Sequence, residues 1–174
     1  ADNPREALKQ GEVLREQALK SGDRKLELRA LRLVVMGCIQ TEDMTRLAGV
    51  HEAATKLAES LGDVQAKVEF LSAKAGLLAG EVKYKESQKV YDEAIALAEK
   101  SGLRRAVGTV LLAKAYVSGL QGRDTESLEL YFRAHQLFED LGDAATARSV
   151  LGSIGAAYAH DGASNEMLAK ALTF

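Results

Sequence analysis

"AESLGDVQAK", residues 58–67, places a Leu-Gly-Asp inside a run that otherwise reads as one helix. The same interruption returns as "KSGD" at 20–23, "EKSGL" at 99–103 and "EDLGD" at 139–143. The glycines are Gly22, Gly62, Gly102 and Gly142, each 40 residues from the next. Glycine takes the left-handed conformation that ends a helix at the lowest steric cost. An Asp directly after it accepts backbone N–H bonds at the start of the next helix and complements that helix's dipole. Asp23, Asp63 and Asp143 fit this role, and Leu103 does not. The Gly-Asp pair therefore reads as a stop and a start in two residues, a joint rather than a ligand site.

Stepping outward by 40 residues gives consistent columns. Leu31, Leu71, Leu111 and Leu151 form one apolar column, and Ala30, Phe70, Val110 and Val150 form another. Leu14, Ala54, Ala94 and Ala134 form a column narrow enough for backbones to approach closely. Each unit holds two helices. The first follows the joint, as at 63–80 and 143–160, with Val68, Leu71, Ala75 and Leu78 recurring at helical steps. The second fills the remainder, as at 84–101, where Val90, Tyr91, Ala94, Leu97 and Ala98 make the buried stripe. No segment alternates with period two between turn signals, so no strand is expected. The expectation is an all-α fold of about nine helices in one domain over 1–174. Its units run 23–62, 63–102, 103–142 and 143–174, after an unpaired helix near 4–21.

Composition agrees with that class. The single proline, the absence of tryptophan and the abundance of Ala, Leu, Glu, Lys and Arg suit helices. A net charge of −2 predicts no strong attraction to nucleic acid or to an anionic membrane. No apolar run approaches the roughly 20 residues that cross a bilayer. One cysteine, Cys38, excludes an intrachain disulfide and a zinc cluster. The chain ends "LAKALTF" inside an apparent helix, which reads as a piece of a longer protein. The compartment stays open between the cytoplasm and, if a leader was removed, the periplasm.

The repeat resembles the tetratricopeptide repeat family in a 40-residue form. The fourth unit carries the first-helix half of that pattern in Leu151, Ile154, Gly155, Tyr158 and Gly162. The second-helix half appears as Ser87, Tyr91 and Ala94, then as Gly122, Ser127, Tyr131 and Ala134. The first unit matches least, with Leu31, Val35, Cys38, Leu47, His51 and Ala54. The resemblance implies an α-solenoid, a right-handed superhelix of antiparallel helix pairs, whose first helices line a concave groove for a peptide or protein segment.

Chemical motifs are few. "HEAAT" at 51–55 begins like a metalloprotease helix but has Thr55 where the second histidine belongs. "GSIG" at 152–155 follows no strand, so it is not a dinucleotide fingerprint, and the repeat assigns Gly155 and Gly162 to close packing and a turn. "HDGASNE" at 160–166 lacks the acidic spacing of a calcium loop. Cys38 has no activating partner in sequence and reads as a small buried apolar residue. Neither catalytic residues, metal ligands nor a cofactor are expected.

The family's groove positions, carried across, are Arg29, Arg32, Met36 and Ile39 in the first unit and Glu69, Ser72, Gly76 and Ala79 in the second. They continue as Thr109, Leu112, Tyr116 and Leu120, then Ser149, Gly152, Ala156 and His160. Such a groove has a basic, sulfur-bearing end and a centre of small residues, with Tyr116 the best single anchor. The plainer reading makes Gly76 and Gly152 packing residues and the arginines solvated charge. Members of the family that clamp a C-terminal carboxylate use asparagines on first helices. The two asparagines here, Asn3 and Asn165, lie elsewhere, so that clamp is absent. Two further readings stand beside peptide binding. One is a sensory domain of a bacterial signalling protein, ahead of a diguanylate cyclase or in a peptide-responsive regulator. The other is a self-association module, such as a homodimer, formed through the unpaired first helix and the interrupted last one. The joint at 102–105, Gly-Leu-Arg-Arg, is the exception worth testing.

Overall fold

Eight α-helices and no strand occur among the described residues: α1 (Pro4–Ser21), α2 (Arg24–Gln40), α3 (Met44–Leu61), α4 (Val64–Gly80), α5 (Tyr84–Lys100), α6 (Arg104–Leu120), α7 (Asp124–Asp140) and α8 (Ala144–Asp161). The computed structural model describes residues 3–161, with side chains to 158. The ninth expected helix, Gly162 and most of "HDGASNE" lie outside the described residues. The fold is an all-α repeat in which α2/α3, α4/α5 and α6/α7 are successive antiparallel pairs and α1 precedes them.

The joints between pairs close alike. Gly22, Gly62, Gly102 and Gly142 have φ between 67° and 70°. The residue after each donates its backbone N–H to a carbonyl five residues back, as in Asp63 N to Ala58 O at 3.0 Å and Leu103 N to Ala98 O at 2.9 Å. The Asp side chains then start the next helix. Asp23 accepts from Lys25 and Leu26 at 3.0 Å. Asp63 accepts from Ala66 at 2.9 Å, and Asp143 from Thr146 at 3.1 Å. The Gly-Leu-Arg-Arg joint has the same backbone turn without a carboxylate cap.

The turns inside each pair have this geometry too, which the sequence conceals. Asp43, Lys83 and Arg123 donate to Cys38, Leu78 and Ser118 carbonyls at 2.9, 2.9 and 3.0 Å. The left-handed residue before each is Glu42 (φ 56°), Val82 (φ 62°) and Gly122 (φ 68°). A β-branched side chain crowds the backbone there, so Val82 is a point of local strain.

The helices dock through small residues. A methyl group built on Gly11 would lie 2.9 Å from Val34 Cγ2 and 3.0 Å from Val34 N. One built on Gly37 would lie 2.9 Å from Leu8 Cβ. Thus α1 and α2 each place a glycine against the other's chain, and α1 is clasped to the repeat. In the later pairs a buried serine joins the two helices: Ser87 donates to Ala75 O at 2.7 Å, and Ser127 to Ala115 O at 2.8 Å. The first pair replaces this contact with apolar packing of Val35 and Leu47, both buried.

Ala30, Phe70, Val110 and Val150 are all buried, as their column implies. Leu31 and Leu111 are buried as well, Leu71 is half-buried, and Leu151 is 50% exposed among the described residues. The chain divides into two compact units, Ala1–Ala106 and Val107–Phe174, with the division three residues into α6. In the first, Leu31, Phe70, Leu47 and Cys38 belong to one buried cluster. No described helix is long and apolar enough to cross a membrane.

Candidate functional site

A first helix buried on most of its surface leaves a single stripe to solvent, and the stripe's residues follow from helical spacing. On α2 the stripe is Lys25, Arg29, Arg32, Met36 and Ile39. Arg29 is exposed, and no ion pair or hydrogen bond of its side chain occurs among the described residues. Met36 and Ile39 are 55% and 45% exposed. Between them Arg32 is only half-exposed, because its guanidinium is already engaged.

Its partner is Glu69 on α4, the helix that lies alongside α2 in the first unit. Arg32 Nε donates to Glu69 Oε2 at 2.7 Å, and Nη2 donates to Oε1 at 2.6 Å. Gln65 donates a further bond to Glu69 Oε1 at 3.2 Å. The bond to Glu69 raises the Arg32 pKa above its ordinary value, against the opposing effect of burial. The basic end expected from Arg29 and Arg32 is therefore smaller than the sequence implied. Two expected groove residues neutralise each other, and Arg29 is the stripe arginine left with an open charge.

The α4 side of this face is shallow. Ser72 and Gly76 are half-buried. Ala79, counted as a groove residue from its position, is only 8% exposed and offers little surface. A methyl group on Gly76 would meet nothing nearer than the Tyr91 hydroxyl, at 3.8 Å. Close helix packing thus does not require this glycine. Tyr91 is 2% exposed, and burial pushes its phenol up to about 12. No hydrogen bond to its hydroxyl occurs among the described residues. Sequence reasoning treated Tyr91 as core and missed that Gly76 leaves its polar end under a thin cover. The missed signal was the smallest residue in the column Met36, Gly76, Tyr116 and Ala156 standing over a tyrosine.

In the second unit the same column carries Tyr116, 61% exposed, with Leu120 at 58% one turn further on. Tyr131, the repeat equivalent of Tyr91, lies near Tyr116; burial, then the Tyr116 phenol, raises its pKa. Leu112 is half-buried, and Thr109, Ser149, Gly152 and Ala156 are exposed. Methyl groups on Gly152 and on Gly155 would meet nothing within 4 Å among the described residues. Close packing, expected of Gly155 and weighed for Gly152, has no counterpart among the described residues, and the ninth helix expected to pair with α8 lies outside them. The glycine that does pack tightly is Gly108, whose methyl would lie 2.8 Å from the Phe138 ring. The His160 side chain lies outside the described residues.

The remaining motifs are structural where the chain is described. His51 is half-buried with Nδ1 3.1 Å from Ala48 O, and Thr55 donates its hydroxyl to His51 O at 2.8 Å. Among the described residues no three His, Cys, Asp or Glu side chains are placed to hold a metal ion. Burial pushes the Cys38 thiol up, away from the reactive thiolate. Arg104 and Arg105 are exposed, and neither is without a partner.

No family model matches the chain, and a comparison with curated proteins finds no match. Among solved structures the chain is similar to BtubC (BKLC) from P. vanneervenii, with a TM-score of 0.70 and 16% identity. The likeness covers 92% of this chain and 68% of that one. At that identity it speaks for the fold alone, and the fold it supports is an all-α helical repeat.

Proposed function

We propose that the chain is a tetratricopeptide-like binding module that holds a peptide or protein segment against the exposed stripes of its first helices, without chemistry of its own. The observation that carries this reading is the exposure of Met36 and Ile39 on α2 and of Tyr116 and Leu120 on α6, between 45% and 61%. The other large apolar residues of these helices are buried or, at Leu26, Leu33 and Leu112, half-buried, so the stripe is where contact with a partner would remove the most apolar surface from water. Burial yields about 25 cal/mol per Å² of such surface. Tyrosine and methionine are also suited to anchoring an adaptable contact.

The test is a random-peptide display library panned on the chain, followed by binding of the enriched peptides to variants. Tyr116→Ala and Met36→Asp should each weaken at least one enriched peptide at unchanged helical content. A library that yields no peptide, or peptides indifferent to both changes, contradicts the reading. Arg32→Glu is a poor probe, because it would set a second carboxylate against Glu69.

For the self-association reading, α1 offers a mixed face. Where later second helices carry Val50, Val90 and Leu130, α1 has Gln10; where they carry Leu57, Leu97 and Leu137, it has Gln17. Both glutamines are exposed, while Val13 and Leu19 elsewhere on α1 are exposed apolar residues, at 49% and 59%. The signalling reading uses the same stripes and adds an output domain to them.

A further inference from the structure

We infer that the face formed by α2 and α4 takes a peptide segment that presents one carboxylate and one large apolar side chain, with Arg29 reading the carboxylate while Glu69 keeps Arg32 occupied. This rests on the peptide-binding reading above and names the partner's chemistry.

The stripe of α2 is polar at one end and apolar at the other. Lys25 and Arg29 are exposed toward its start, and Met36 and Ile39 toward its end. Between them Arg32 spends the Nε/Nη2 edge of its guanidinium on Glu69, at 2.7 and 2.6 Å. A visiting carboxylate would either displace Glu69 or share the remaining N–H groups against the repulsion of the Glu69 charge. Arg29 imposes no such loss, having no ion pair among the described residues. Charge complementarity therefore places the partner's acid at Arg29.

Seven residues separate Arg29 from Met36, about 10 Å along a helix at 1.5 Å per residue. A peptide in the polyproline II conformation rises about 3.1 Å per residue with three residues per turn, so side chains three positions apart lie on one face about 9 Å apart. The preferred segment thus carries Asp or Glu three positions from Leu, Met or Phe. Gly76 supplies a further feature on the α4 side, where a ligand backbone can approach the Tyr91 hydroxyl. That hydroxyl, at the end of a side chain 2% exposed overall, has no hydrogen-bond partner among the described residues and can donate to a peptide carbonyl. A polyanion such as nucleic acid is disfavoured, because the Glu69 carboxylate sits within the face.

The experiment uses peptides enriched on the chain, each paired with a copy in which its acidic residue is changed to Gln or Asn. Affinity is read by fluorescence anisotropy. On the unmodified chain the acidic copy should bind about fivefold more tightly, the scale of one partly exposed ion pair. Arg29→Gln should erase that ratio, and Glu69→Gln should widen it by releasing Arg32. Circular dichroism confirms that each variant is folded. Enriched peptides with no acidic preference, or a preference that survives Arg29→Gln, overturn this inference and leave peptide binding standing. Failure to enrich any peptide overturns both.

Discussion

Arg32 and Glu69 are joined by two parallel hydrogen bonds, 2.7 and 2.6 Å long, that tie α2 to α4. Both side chains remain about a third exposed, 33% and 31%. Water and salt therefore screen the pair, and its contribution to stability is small. A double-mutant cycle with Arg32→Gln and Glu69→Gln, read by urea unfolding, should give a coupling of about 1 kcal/mol or less that shrinks in high salt. The pair's larger consequence is chemical, since it removes one arginine from the surface open to a ligand.

The glycines divide by what a methyl group would meet. Among the described residues, Gly76→Ala and Gly152→Ala add helix propensity in open or ordinary contact, and each should raise stability by up to about 1 kcal/mol. Gly11→Ala and Gly37→Ala drive a methyl into the α1–α2 clasp. Overpacking costs about 1–3 kcal/mol, which outweighs the propensity gain, so both should lower the midpoint in urea. Opposite signs in both pairs would contradict the packing described.

Val82 offers a stabilising change. A left-handed non-glycine residue costs roughly 1–2 kcal/mol, while glycine's extra unfolded-state freedom costs about 0.5–1 kcal/mol. With φ at 62° and the side chain 69% exposed, Val82→Gly should raise the thermal midpoint by a few degrees. Gly122→Val, at the equivalent turn, should lower it.

Tyr91 predicts behaviour in alkali. Burial raises its folded-state pKa to about 12, above the ordinary 10. The neutral phenol is the form the fold favours, so this stabilisation is fully present below pH 10 and is lost as pH rises from 10 toward 12. Tyr91→Phe should flatten the fall in urea midpoint across that window. It should cost little at neutral pH, since the hydroxyl has no partner among the described residues.

What the sequence revealed and concealed follows from which interactions repeat. The joints at Gly22, Gly62, Gly102 and Gly142 were legible because one backbone requirement recurs at one residue type every 40 positions. The equivalent turns at Glu42 and Val82 were not, since neither residue announces a left-handed backbone. The clasp of Gly11 and Gly37 was hidden for a related reason. Gly11 shares its column with His51, Tyr91 and Tyr131, and only the contact between α1 and α2 demands a small residue there. Arg32 and Glu69 lie 37 residues apart and in different columns, so no periodic comparison pairs them. Position on the stripe was readable for Arg29, Met36 and Tyr116. Occupancy of the charge at Arg32, and the lack of surface at Ala79, required the packed helices.

The most direct test compares two exposed apolar residues of the first unit, Met36 on the α2 stripe and Val13 on α1, at 55% and 49% exposure. Each is changed to Asp, and affinity for a library-enriched peptide that Met36→Ala weakens is measured by fluorescence anisotropy. If α2 and α4 form a binding face, Met36→Asp weakens the peptide about tenfold or more and Val13→Asp leaves it unchanged. Equal losses in the two variants, or full affinity in Met36→Asp, would contradict the assignment of that face.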